Sequence, residues 1–214
     1  MFLKNLIILI GLTLIMNADD FTQAVKDYQA GNHIKALNTF YVLAKKGDTK
    51  AQYNVGILYT IGAGVKTDVI QAIHWYEEAA KQNNGEAAYN LAQLYYNKGL
   101  LGEVNAFKKA KYWYEKAIDL NIKEASNNLA TLYMNGEGVP KNEKKAFELL
   151  EKSAQLGNSI AQVNVGVFFA WGKDTPHDKL KAYANFKLAL KQGQSEASPY
   201  LDKLCKESAW VCKN

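Results

Sequence analysis

One nonapeptide pattern recurs four times along this chain, and no other feature limits its fold so tightly. It reads Ala51-Gln-Tyr-Asn-Val-Gly-Ile-Leu-Tyr59, Ala87-Ala-Tyr-Asn-Leu-Ala-Gln-Leu-Tyr95, Ala125-Ser-Asn-Asn-Leu-Ala-Thr-Leu-Tyr133 and Ala161-Gln-Val-Asn-Val-Gly-Val-Phe-Phe169, with starts 36, 38 and 36 residues apart. A fifth start, Ala197, follows 36 residues later. A second segment accompanies each: Ala72-x-x-Trp75-Tyr76-x-x-Ala79, Ala110-x-x-Trp113-Tyr114-x-x-Ala117, Ala146-x-x-Leu149-Leu150-x-x-Ser153 and Ala182-x-x-Asn185-Phe186-x-x-Ala189. Apolar and small residues fall at steps of three and four, the period of an amphipathic helix. Fixed small residues mark places where two helices cross closely. Self-similarity of this length means stacked helical pairs, because one pair cannot bury its own apolar stripe.

Turns join the helices. Gly62-Ala-Gly64-Val65 and Gly136-Glu-Gly138-Val139-Pro140 supply residues suited to a helix C-cap and to restarting the chain. Gly47-Asp48, Asn83-Asn84-Gly85, Gly157-Asn158 and Gly193 close successive units.

Ala-x-Tyr-Asn-x-Gly-x-Leu-Tyr, then Gly-x-Gly-Val, then Ala-x-x-Trp-Tyr-x-x-Ala-Ala stands nearly complete at Ala51–Ala80, and this order resembles the Sel1-like repeat family, relatives of the tetratricopeptide repeat, in its exported bacterial type. The resemblance implies an all-α fold, an α/α solenoid superhelix of helix-turn-helix repeats. Four units cover 51–196, divided at 51–86, 87–124, 125–160 and 161–196. Residues 21–50 read as a degenerate tetratricopeptide-like first repeat, and 197–214 as a capping helix with a cysteine-containing tail. Gly99-Leu-Leu-Gly102 with two extra residues, and Gly172-Lys-Asp-Thr-Pro176 in place of a glycine turn, are local departures. Trp75, Trp113, Tyr76, Tyr114 and Phe186 are expected in the core.

Residues 1–18 have the order of a secretory signal peptide: Lys4, then an apolar run from Leu6 to Met16, then Asn17-Ala18 before Asp19-Asp20. The run is shorter than the roughly 20 residues of a spanning helix, so cleavage is favoured over retention as an anchor. The expected location is periplasmic or secreted, with no membrane span after cleavage. Cys205 and Cys212 are the only cysteines, and an exported chain favours pairing them over leaving two thiols. Seven residues of unbroken helix separate Cα atoms by about 10 Å, beyond the roughly 7 Å limit of a disulfide. If the bond forms, the helix must break between them, around Glu207–Trp210.

The net charge of +5 is dispersed along the helices, which argues against a nucleic-acid partner. No Ser-x-x-Lys, Gly-x-Ser-x-Gly, phosphate-cradling loop or His-Glu-x-x-His occurs, and His33, His74 and His177 are too scattered for a metal site. No catalytic residue, metal or cofactor is expected. Within the resembled family, exported cysteine-rich members are linked to penicillin binding and described as β-lactamase-like. This chain departs from them in lacking a cysteine pair per repeat, which leaves a β-lactamase-like or cell-wall-ligand role as the alternative.

The favoured expectation is a monomeric, non-catalytic scaffold in the cell envelope that binds a protein or extended peptide on the concave face lined by the first helices. Asn54, Asn90, Asn128 and Asn164 recur there, with Tyr53, Tyr89, Tyr96 and Asn127 on the same face. A side-chain amide both donates and accepts, so a row of them suits the backbone of an extended peptide. Tetratricopeptide domains use an asparagine at the corresponding place in peptide binding. The same amides could instead satisfy backbone groups of their own repeats.

Overall fold

The computed structural model describes residues 19–172 and 177–213; residues 1–18, expected to form a signal peptide, and most of the Gly172–Pro176 turn lie outside them. Among the described residues the chain is all α. Helix α1 covers 19–29, and ten more follow: α2 (His33–Lys45), α3 (Thr49–Ile61), α4 (Val69–Lys81), α5 (Gly85–Leu100), α6 (Ala106–Asp119), α7 (Glu124–Asn135), α8 (Glu143–Gln155), α9 (Ser159–Trp171), α10 (Lys179–Lys191) and α11 (Ala197–Glu207). A 3-10 turn, Ala209–Cys212, ends the described chain. This is a solenoid of helical repeats, divided into two compact units at 94/95.

Local chemistry sets the helix starts. Asp48, Asp68, Asn84, Asn142, Asn158 and Asp178 each accept a hydrogen bond from a backbone N–H of the first turn that follows, which satisfies donors a helix leaves unpaired. The turn inside a pair is fixed by one recurring bond. Asp68 N–H donates to the Tyr59 carbonyl (3.0 Å), Asn142 to Tyr133 (2.8 Å) and Asp178 to Phe169 (2.9 Å). Units end on a left-handed residue at one repeat position, occupied by Gly47, Asn83, Asn121, Gly157 and Gly193; asparagine is among the few side chains that tolerate it.

In the first unit, Phe40, Leu43, Val55, Leu58 and Trp75 form the core with fully buried alanines at 36, 51 and 72. In the second, Phe147, Leu150, Val165, Phe168, Phe169, Phe186, Leu204 and Val211 do so. Pairs cross closely where expected: a Cβ on Gly56 would sit 2.6 Å from the Tyr76 ring, and one on Gly166 2.6 Å from Phe186. Trp75 is 3% exposed. Trp113, expected in the core, is only half-buried.

Helix α11 packs on α10 through Ala197 and Leu204 and stops at Glu207. Ser208 breaks the helix, and the 3-10 turn brings Cys212 back to Cys205 in a disulfide with Cα atoms 5.7 Å apart.

Candidate functional site

The first helices carry the candidate residues, because the pattern that buries Ala51, Gln52, Val55, Gly56 and Leu58 leaves Tyr53 and Asn54 of α3 partly exposed. In the first unit, Tyr53, Asn54, Tyr89 and Asn90 are all half-buried. Asn54 Nδ2 donates 2.8 Å to the Lys50 carbonyl of its own helix. Asn90 serves a cluster instead. Its Nδ2 lies 3.5 Å from the Tyr76 hydroxyl, which also bonds Thr60 Oγ1 at 3.2 Å. The Tyr53 ring stands 6.0 Å from that of Tyr76, and Tyr89 accepts 2.8 Å from Gln93 Nε2. Burial pushes both the Tyr53 and the Tyr76 phenols above the ordinary tyrosine value, and the hydrogen bond each shares with Asn90 opposes it. The cluster stays neutral near pH 7 and offers hydroxyl and amide groups, not charge.

In the second unit the equivalents diverge. Tyr96 is half-buried, edge-on to Phe107 at 5.5 Å; burial raises its pKa, and the Glu137 carboxylate adds to the effect. Asn127, at the repeat position of Tyr53, is buried. Its Nδ2 donates 2.9 Å to Asn158, the cap of α9, and its Oδ1 has no partner among the described residues. Asn128 is half-buried. Asn164 borders a cavity of about 470 Å³ whose lining includes Met134, Asn135, Val167, Phe168 and Trp171. The structure therefore gathers Tyr53, Asn54, Tyr89 and Asn90 on one unit, turns Asn127 inward, and places Asn164 at the edge of a cavity.

Two glutamine pairs escaped the sequence reading. Gln52, 4% exposed, donates to the Ala44 carbonyl of the preceding helix (3.3 Å) and accepts 2.7 Å from Gln82. Gln162, 5% exposed, repeats both bonds with Ala154 (3.4 Å) and Gln192 (2.8 Å). The signal was present: the glutamines recur in phase in the same two units. In the unit with Ser126 and Leu156 at these positions, a cavity of about 230 Å³ borders both residues.

Among the described residues no group of three or more His, Cys, Asp or Glu side chains could hold a metal ion, and no helix is long and apolar enough to cross a membrane.

The family model described as Sel1 repeat matches four times, over 49–84, 85–122, 123–158 and 159–194. Chitin synthase regulatory factor 3 of Schizosaccharomyces pombe is 32% identical over 143 residues, 64% of this chain but only 15% of its own length. Among solved structures, a protective antigen of uropathogenic Escherichia coli strains displaying an SLR fold superposes with a TM-score of 0.78 and 25% identity, over 90% of this chain and 42% of the antigen. A Sel1 repeat protein from Oxalobacter formigenes superposes with a TM-score of 0.76 and 27% identity, over 86% of this chain and 74% of its own.

Proposed function

Because this chain belongs to the Sel1 repeat family, whose members bind proteins, we propose that it is a non-catalytic adaptor of the cell envelope that holds a protein or extended peptide against its first helices. One observation carries the proposal. The same outward position of each first helix holds an asparagine, flanked in the first unit by half-buried tyrosines and in the second by a cavity. Neutral donors and acceptors repeated at the spacing of the units suit a polypeptide backbone.

Placement outside the cytoplasm is supported by the Cys205–Cys212 disulfide, since such bonds persist in oxidising compartments. The likeness to a protective antigen points the same way.

The test is capture from an envelope extract by wild-type protein and by the combined Asn54→Ala, Asn90→Ala, Asn128→Ala and Asn164→Ala variant, with helicity compared by circular dichroism. Loss of the captured partner by a folded variant is expected. An unchanged set of partners would contradict the proposal.

A further inference from the structure

The four recurring asparagines are not equivalent. Asn54 bonds its own helix, Asn90 bonds Tyr76, and Asn128 has an interaction of its own. Asn164 is half-buried, borders the largest cavity of the second unit described above, and has no hydrogen-bond partner among the described residues. Its amide is open to water in the cavity wall, so the backbone groups of a ligand can take the place of that water. Asn135, exposed at the end of α7, borders the same cavity and is also unpartnered among the described residues.

The rest of the lining defines what could enter. Val167, Phe168 and Trp171 come from one side of α9, three, four and seven residues beyond Asn164, and Met134 adds an apolar group from α7. The charged lining residues Lys141 and Glu143 pair with each other at 3.1 Å, so the walls present no net charge to a ligand. Trp171 is set in place from the C-terminal helix: its indole N–H donates 2.8 Å to Glu207, and the Lys203 ammonium stands 4.5 Å from its ring centre. A preset aromatic wall reduces the ordering cost of binding. The volume, about 470 Å³, lies inside the roughly 300–1,000 Å³ range of ligand pockets.

We propose that this cavity seats one bulky uncharged apolar side chain of an extended peptide, with Asn164 and Asn135 bonding the peptide backbone beside it. The proposal rests on the peptide-binding function above and narrows it to one anchor and one ligand class.

The probes are blocked pentapeptides, acetyl-Ala-Ala-X-Ala-Ala-amide, with X as Trp, Leu, Ala, Lys or Glu. They are titrated into the full chain labelled with 15N, and the side-chain signals of Asn164, Asn135 and Trp171 are followed. Saturable shifts are expected for Trp and Leu, with apparent affinity at least tenfold above that for Ala, Lys or Glu. Asn164→Ala should weaken binding several-fold, and Val167→Glu, at a partly buried position on the edge of the core, should abolish it while helicity by circular dichroism stays that of the wild type. Equal response to all five peptides, no response, or shifts that survive Val167→Glu would each overturn the anchor. Capture lost by the four-asparagine variant but retained by Val167→Glu would refute this cavity while sustaining the broader function.

Discussion

Gly64 lies so close to the backbone of His33 that a Cβ built on it would stand 2.6 Å from the His33 carbonyl carbon. Gly138 repeats the relationship in the second unit, with its Cβ position 2.7 Å from that of Phe107 and 2.9 Å from the Phe107 carbonyl carbon. The second glycine of each Gly-x-Gly turn thus serves two ends. It adopts a left-handed backbone (φ 75° and 70°), and it lets the turn rest on the start of an earlier second helix. Gly64→Ala should cost about 1–2 kcal/mol for the left-handed conformation and a further 1–3 kcal/mol or so for displaced backbone. Gly47 is also left-handed but has nothing within 4 Å of its Cβ position, so Gly47→Ala should show the first cost alone. Urea unfolding of both variants measures the difference, and equal losses would refute the packing role.

Tyr76 should make the fold sensitive to alkali. Its folded pKa is raised, chiefly by burial, above the ordinary value of 10.0. The folded state therefore keeps its proton at a pH where the unfolded chain has lost it. Its contribution is complete below pH 10 and is lost as pH rises from there through the folded pKa. Tyr76→Phe should cost about 1 kcal/mol at neutral pH through lost bonds to Thr60 and Asn90. It should also make stability fall less steeply above pH 10, with a residual slope from Tyr53, Tyr59 and Tyr96, which are raised too. Denaturation midpoints from pH 8 to 11.5 measure both effects.

The glutamine pairs should behave as coupled units. Gln162→Ser removes the bond to the Ala154 carbonyl, which still accepts from Gly157 N–H, and takes away the acceptor of the Gln192 amide; it should cost about 1–2 kcal/mol. Gln192→Leu, added to it, recreates the Ser126 and Leu156 pairing of the neighbouring repeat and should recover part of that loss. A double-mutant cycle should give a coupling of about 0.5–1.5 kcal/mol; strict additivity would show that the pairing is incidental.

The Cys205–Cys212 bond closes a short loop, and the chain-entropy account assigns such a loop about 2.5 kcal/mol. Reduction should raise hydrogen exchange in α11 and the 3-10 turn, where Val211 is 1% exposed, and leave α3 and α4 protected. Uniform loss of protection would mean that the cap holds the whole array.

Much of this was legible in the sequence, for a physical reason. Alanines repeated at 51, 87, 125 and 161 are all fully buried, because only a small residue lets two helices cross there. The required helix break between the cysteines falls at Ser208, since continuous-helix geometry excluded any alternative for a bonded pair. Periodicity assigns a residue to a face but does not say what covers it. Trp75 is enclosed with Tyr41 at 5.4 Å and Lys45 over its ring. Trp113 occupies the same repeat position and is half-exposed, with exposed Tyr112 as its ring neighbour. Register puts Asn127 with the tyrosines, yet a short polar side chain there reaches the cap of α9 and turns inward. Which of four identical asparagines lacked a partner depended on neighbours far along the chain.

The central claim is that partners meet the first helices and not the second. A photo-cross-linking side chain installed at Tyr89 or Asn164 tests it directly, against the same group at Val42 and Leu188, exposed positions on second helices. Adducts from Tyr89 and Asn164, with none from Val42 or Leu188, are expected; adducts confined to Val42 and Leu188 would contradict the account.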